Sequence, residues 1–216
     1  MKYLLKNNLK LCLVTNIGTR PINEYKFFLC EAIKGGVTMV QLREKSASID
    51  EVKYKAIELQ KILKPLKIPL IINNFVELAA EINADGIHIG QKDMPVEQAK
   101  KILGLNKIIG LSIESMEQLE IANNTVGISY VTASAVFPSK TKPDCKKIWG
   151  LDGLKQVALN SKHPVTAIGG IKSYNVADFF KIPNVYGVAV VGAIENSLDP
   201  RKAAEELLIH SNLRYV

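Results

Sequence analysis

Apolar positions along this chain alternate between two kinds of pattern. Short, nearly continuous apolar runs recur at residues 10–16, 38–44, 69–73, 86–91, 107–112, 130–137, 165–169 and 187–191. Runs such as Leu11-Cys12-Leu13-Val14 and Val188-Ala189-Val190-Val191 leave no polar face, as expected of strands buried on both sides in a parallel sheet. Between them lie stretches of helical period at 24–34, 50–63, 75–82, 95–103, 116–123, 151–159, 174–180 and 200–209. Val52, Ala56, Leu59 and Leu63 repeat at spacings of three and four, with Ser48 placed to cap that helix. In 24–34 the apolar stripe is read as Phe27, Phe28, Ala32 and Ile33, and Pro95 and Pro200 suit first helical turns.

Eight strands alternating with eight helices through short connections predict a parallel α/β fold, and the eightfold count favours a closed (β/α)8 barrel of the TIM type over an open sheet. No linker or composition shift divides the 216 residues, so residues 1–216 are expected to form one domain.

Composition narrows the function classes. The net charge of +7 is compatible with anionic small molecules or nucleic acid. The lysine pairs Lys53/Lys55, Lys100/Lys101 and Lys146/Lys147 lack interleaved aromatics, so they read as solvated faces and no nucleic-acid partner is expected. Cys12, Cys30 and Cys145 are too few and too scattered for a disulfide framework or zinc site. Cys12 and Cys30 read as buried small hydrophobes, whereas Cys145 lies in a polar loop with no base beside it. The charged first ten residues and the lack of any apolar stretch near ~20 residues predict a cytoplasmic protein without membrane contact.

In such barrels the loops after the strands build the active site. That rule gathers Gln41, Arg43, Glu44 and Lys45; Asn73 and Asn74; Gln91 and Asp93; Ser112; residues 139–142; Gly169 and Gly170; and Gly192 at one mouth. Gly169-Gly170 and Val191-Gly192 end the last two strands, where bare backbone amides approach a phosphate closely. The loop Pro138-Ser139-Lys140-Thr141-Lys142-Pro143 offers hydroxyls and ammonium groups, and reads either as phosphate ligands or as an exposed turn. Its extension over 140–148 is long, charged and proline-bearing, the character of a lid. Asp93 with an amide oxygen of Asn73 or Asn74 suits Mg²⁺, although Asp93 equally suits a cap for the helix near Pro95. His88, His163 and His210 lack metal spacing, and His88 reads as a packed histidine. Trp149 reads as loop packing. No nucleophile triad, dinucleotide fingerprint or P-loop is present.

Taken in order, Gln41-Leu42-Arg43-Glu44-Lys45, Ile72-Asn73, Ala84-Asp85-Gly86-Ile87-His88-Ile89-Gly90-Gln91, Asp93-Met94-Pro95, Phe137-Pro138, Thr141-Lys142 and Ala167-Ile168-Gly169-Gly170-Ile171 resemble the thiamine phosphate synthase family over nearly the whole chain. The resemblance implies a transferase of thiamine biosynthesis that joins hydroxymethylpyrimidine diphosphate to hydroxyethylthiazole phosphate and releases pyrophosphate. It implies that Gln41, Leu42, Arg43, Glu44, Lys45, Asn73, Ser112 and Lys142 bind the diphosphate substrate, with Arg43, Lys45 and Lys142 stabilising the leaving group. Asp93, with Asn74, would hold Mg²⁺. Ser139, Lys140, Thr141, Gly170, Val191 and Gly192 would bind the thiazole phosphate, and a homo-oligomer is compatible with all of this.

Three positions depart from the family pattern. Asn74 stands where an aspartate is usual, Gly192 where a serine is usual, and Ser134-Ala135 where Gly-Pro is common. Two rival readings follow. A thiazole tautomerase of the same fold uses a histidine near the end of strand six, where this chain has Ala135. A non-catalytic phosphate-ligand binder would follow if Asn74 and Gly192 had abolished turnover.

Overall fold

The described residues, 2–139 and 147–209 of a computed structural model, form a closed barrel of eight parallel strands. These are β1 (Leu11–Val14), β2 (Met39–Leu42), β3 (Leu70–Asn73), β4 (Gly86–Ile89), β5 (Ile108–Ile113), β6 (Tyr130–Ser134), β7 (Val165–Ile168) and β8 (Val185–Val190). Their order around the barrel is their order in the chain, with β8 pairing back onto β1. Among the described residues the helices are α1 (Lys2–Asn8), α2 (Ile22–Lys34), α3 (Ile49–Leu63), α4 (Val76–Glu81), α5 (Val96–Leu103), α6 (Met116–Asn124), α7 (Gly150–Asn160), α8 (Val176–Phe180), α9 (Gly192–Glu195) and α10 (Pro200–Leu208). Lys140, Thr141, Lys142, Cys145, Lys146 and His210 lie outside the described residues. Among those described, no helix is long and apolar enough to cross a membrane.

The strands are shorter than the apolar runs because the sheet ladder ends where the mouth begins. The Arg43 amide donates to the Thr15 hydroxyl at 3.0 Å instead of to a neighbouring strand. Helix α3 shows how local chemistry sets a boundary. Ser48 Oγ accepts from the Glu51 amide while the Glu51 carboxylate accepts from the Ser48 amide, a reciprocal cap. Its stripe of Val52, Ala56, Leu59 and Leu63 is buried, and truncating Leu59 to alanine would cost about 2–5 kcal/mol.

In α2 the buried stripe is Tyr25, Leu29 and Ala32, at spacings of four and three, while Phe27 is 71% exposed. Adjacent aromatics cannot both face inward on a helix, so Phe28 packs partly and Phe27 is left outside. Pro95 sits at the N-cap of α5, one place before the first turn, whereas Pro200 opens α10 as expected. Cys12 is buried and Cys30 only half-buried.

Two helices were not foreseen. Leu5 of α1 packs against a cluster of barrel-interior side chains that includes Cys12, Met39, Ile71 and Tyr130, so α1 closes the barrel floor. Lys6 of α1 donates to the Tyr186 hydroxyl at 2.7 Å. Helix α9, only four residues long, follows β8 directly and brings Glu195 into the interior.

Candidate active site

A cavity of about 580 Å³ opens at the C-terminal end of the barrel and reaches down to Cys12, Met39 and Tyr130. Ten of the residues expected at the mouth line it. Gln41, Arg43, Asn73, Asp93 and Ser112 come from the β2 to β5 side. Ser139, Gly169, Gly170, Val191 and Gly192 come from the β6 to β8 side. The volume suits a heterocycle carrying phosphate groups.

The first side is tied together by a relay of hydrogen bonds. Gln41 Nε2 donates to Asn73 Oδ1 at 2.8 Å, and Asn73 Nδ2 donates to Asn74 Oδ1 at 3.2 Å. Asn74 Nδ2 donates to Asp93 Oδ1 at 3.3 Å, and Asp93 Oδ2 accepts from the Gly90 amide at 2.6 Å. Asp93 therefore closes its own turn, and α5 has no side-chain cap, so the capping alternative is not what its carboxylate does. Asn74 is exposed and holds φ +54°, a left-handed conformation that asparagine tolerates.

Asp93, which lines the cavity, is half-buried and bonded to Asn74, an exposed amide that is not itself among the lining residues. That donor set fits Mg²⁺, which takes one or two protein ligands and completes its shell with water and phosphate oxygens. Among the described residues no three His, Cys, Asp or Glu side chains converge, so a denser metal cage is not formed there.

Across the cavity, Gly169 and Gly170 have φ of +104° and +64°. A Cβ on Gly170 would lie 2.5 Å from Phe137 Cβ and 2.9 Å from the Pro138 carbonyl oxygen. The turn is thus packed flush against the start of the β6 loop, and Asn175 secures it by donating to the Gly170 carbonyl at 3.1 Å. Lys172, just beyond the glycines, lines the cavity with Arg43 and adds positive charge.

Leu42, Glu44 and Lys45 are not among the cavity-lining residues. Leu42 is 1% exposed and belongs to the core between barrel and helices. Lys45 is exposed. The Glu44 carboxylate is saturated: it accepts from the Ile17 and Gly18 amides at 3.0 Å each, from the Thr15 hydroxyl at 3.2 Å and from Lys55 Nζ at 2.7 Å. Glu44 thereby pins the loop after β1, and it is engaged before any ligand arrives.

Sequence reasoning missed the cavity's deep wall. Tyr130, Thr132 and Ser134 of β6, Thr166 of β7 and Cys12 of β1 all line it. Thr132 and Thr166 face each other at 2.8 Å between hydroxyls. The signal was present as polar residues at every second position, 130, 132 and 134, of a strand otherwise apolar. Burial pushes the Cys12 thiol up to about 12, so it remains protonated. His88 is packed as expected, yet it lines the cavity and both ring nitrogens have partners.

Comparison with known proteins adds an independent line. The profile of a family described as thiamine monophosphate synthase matches residues 11–194. A thiamine-phosphate synthase from Vibrio campbellii is 42% identical over 202 residues, spanning 94% of this chain and 98% of that protein. One from Chlamydia abortus is 38% identical over 202 residues, spanning 94% of each. The solved structure of a thiamine phosphate pyrophosphorylase from Pyrococcus furiosus superposes with a TM-score of 0.86 at 34% identity, over 98% of this chain and 100% of that one.

Proposed function

The chain belongs to the thiamine monophosphate synthase family, and from that premise we propose that its barrel mouth condenses hydroxymethylpyrimidine diphosphate with hydroxyethylthiazole phosphate to give thiamine phosphate and pyrophosphate. The observation that carries this reading is one cavity with two unlike sides. Arg43, Asn73, Ser112 and Asp93 lie on one, and the glycine turns at Gly170 and Gly192 lie on the other.

In this reading the first side holds the diphosphate and the second the thiazole phosphate. The bond between the pyrimidine methylene carbon and the diphosphate oxygen breaks, and its electron pair leaves with pyrophosphate. The electron-rich aminopyrimidine spreads the resulting positive charge. The thiazole nitrogen then donates its lone pair to form the new carbon–nitrogen bond. No strong base is needed, because the proton inventory of the ring nitrogen does not change.

What the protein supplies is charge and position. Arg43, which lines the cavity, and Lys142 offset negative charge growing on the leaving group, Lys45 adds charge at longer range from outside the cavity lining, and Asn73 and Ser112 donate to the leaving oxygens. Mg²⁺, held by Asp93 and Asn74, would supply further electrostatic stabilisation of the diphosphate. Ser139, Lys140, Thr141 and the backbone at Gly170, Val191 and Gly192 orient the second substrate, converting an encounter of two molecules into a reaction within one complex.

The reading is tested by pyrophosphate release on mixing both substrates, with and without Mg²⁺. Release that requires the thiazole phosphate and Mg²⁺, with thiamine phosphate as product, is expected. Binding without release would replace it by the non-catalytic binder. The tautomerase reading has little support, since Ala135 occupies the end of β6 and His88 sits two strands away on β4.

A further inference from the structure

Asn73, His88, Gly110 and Tyr130 are consecutive partners across β3, β4, β5 and β6. Side chains on neighbouring strands in register stand side by side, so Tyr130 and His88 would ordinarily be separated by whatever β5 carries between them. β5 carries glycine there. A Cβ on Gly110 would fall 2.3 Å from Tyr130 Cζ, 2.5 Å from its hydroxyl and 2.6 Å from His88 Nδ1. The missing side chain is the opening through which the phenol reaches the imidazole, at 3.1 Å between Tyr130 Oη and His88 Nδ1. On the other edge of the ring, His88 Nε2 lies 2.9 Å from Ser112 Oγ.

We propose that Tyr130 and His88 are positioning residues that fix the direction of the Ser112 hydroxyl, so that its proton points into the cavity as a donor to the leaving diphosphate. This rests on the assignment of Ser112 to that substrate, and it concerns how the hydroxyl is oriented once there.

The argument runs through hydrogen-bond inventory. A phenol has one proton to donate, and Tyr130 is 2% exposed, with His88 as the one side-chain partner of its hydroxyl among the described residues. A buried phenol that only accepted would leave its proton unmet, so Tyr130 donates and His88 Nδ1 accepts. Burial also holds the phenol well above its ordinary pKa, keeping that proton in place. A neutral imidazole that accepts at Nδ1 carries its hydrogen on Nε2. Nε2–H then donates to Ser112 Oγ. With one lone pair of Oγ taken, the Ser112 proton is turned away from the ring, toward the cavity that Ser112 lines. The opposite tautomer would have Ser112 donate to Nε2, spending on the wall the proton that the diphosphate needs. The Ser112 main chain is held separately, its carbonyl accepting from Gln91 Nε2 at 2.7 Å.

Two measurements test this. Nitrogen-15 NMR of the imidazole in the wild-type protein should show His88 as the Nε2–H tautomer, and Tyr130→Phe should erode that preference. In steady-state kinetics Tyr130→Phe should lower kcat about tenfold, the worth of one neutral hydrogen bond, with the KM for thiazole phosphate unchanged. His88→Gln supplies an N–H toward Ser112 without needing the phenol. Adding Tyr130→Phe to His88→Gln should therefore cost almost nothing, which a merely structural role for Tyr130 would not produce. An Nδ1–H tautomer in the wild type, or an undiminished penalty for Tyr130→Phe in the His88→Gln background, overturns the proposal. Titration of Ser112→Ala with inorganic pyrophosphate separates the two levels. Unweakened binding there removes the assignment of Ser112 to the diphosphate, while the tautomer result still stands or falls by itself.

Discussion

The Glu195 carboxylate, delivered to the interior by α9, accepts from the Tyr25 hydroxyl of α2 at 2.6 Å. It also accepts from the Asn16 amide at 3.0 Å and pairs with Arg20 at 3.2 Å. The turn at Val191 and Gly192 and the loop after β1 are thus fastened through one side chain that is 1% exposed. Glu44 fastens the same loop from the β2 side. These two carboxylates hold the loop after β1, whose Thr15 hydroxyl accepts from the Arg43 amide.

Burial raises the Glu195 carboxyl above its ordinary value, partly offset by the Tyr25, Asn16 and Arg20 contacts. In the unfolded chain a glutamate titrates near ~4.3. A carboxyl whose folded-state pKa is raised gives its full contribution below that value. The contribution is lost as pH rises through the folded-state pKa and is flat beyond it. Wild type should therefore lose stability relative to Glu195→Gln between about pH 4 and the folded-state pKa. Urea midpoints measured across that range check the slope; parallel curves for the two proteins would refute it.

Glu44→Gln tests whether this residue serves structure or ligand. Glu44 and Lys55 side chains are 3% and 13% exposed, so removing one charge leaves the other poorly solvated. A loss of about 3 kcal/mol is expected, with little change in the KM for pyrimidine diphosphate. Lys55→Met in the same chain should recover part of the loss by removing the orphaned charge. Denaturation of the single and double variants decides it. A large rise in KM without loss of stability would return Glu44 to the ligand.

Much of this was legible in the sequence, and the boundary of legibility is physical. Gln41, Arg43, Asn73, Asp93 and Ser112 could be placed because each follows an apolar run, and a parallel barrel sends all such ends to one face. Glu44 follows the same run, yet its destination depends on amides at 17 and 18 that fold back from another strand. The contact of Tyr130 with His88 requires knowing that Gly110 falls between them in register, which no linear pattern reveals. The burial of Tyr25 in place of Phe27 is set by what α2 packs against, an interior glutamate 170 residues further along.

Asn74→Asp should tighten the metal requirement. The substitution adds a negative charge beside Asp93, whose Oδ1 lies 3.3 Å from the Asn74 amide nitrogen. Two adjacent carboxylates repel when bare and attract a divalent cation more strongly than a carboxylate and an amide do. The backbone tolerates the change, since aspartate shares the ability of asparagine to sit at φ +54°. The Mg²⁺ concentration giving half-maximal pyrophosphate release should fall. An unchanged or higher requirement would show that Asn74 does not contribute to the ion.

Gly170→Ala should separate the two sides of the cavity. At φ +64° a side chain is strained whatever the space, at a cost of about 1–2 kcal/mol. Here the space is also taken: the new Cβ would lie 2.5 Å from Phe137 Cβ and 2.9 Å from the Pro138 carbonyl oxygen. Neither neighbour is the free end of a flexible chain, so the turn and the Phe137-Pro138 segment must move apart. Ser139 rides on that segment and Asn175 on the turn, which places the disturbance at the thiazole-phosphate side and away from Arg43, Asn73 and Asp93. The KM for thiazole phosphate should rise about tenfold, equivalent to about 1.4 kcal/mol, while the KM for pyrimidine diphosphate stays near the wild-type value. Steady-state kinetics with each substrate varied in turn reads this directly. An equal rise in both constants would mean that the glycine turn supports the barrel mouth as a whole, and that the phosphate of the second substrate is held elsewhere.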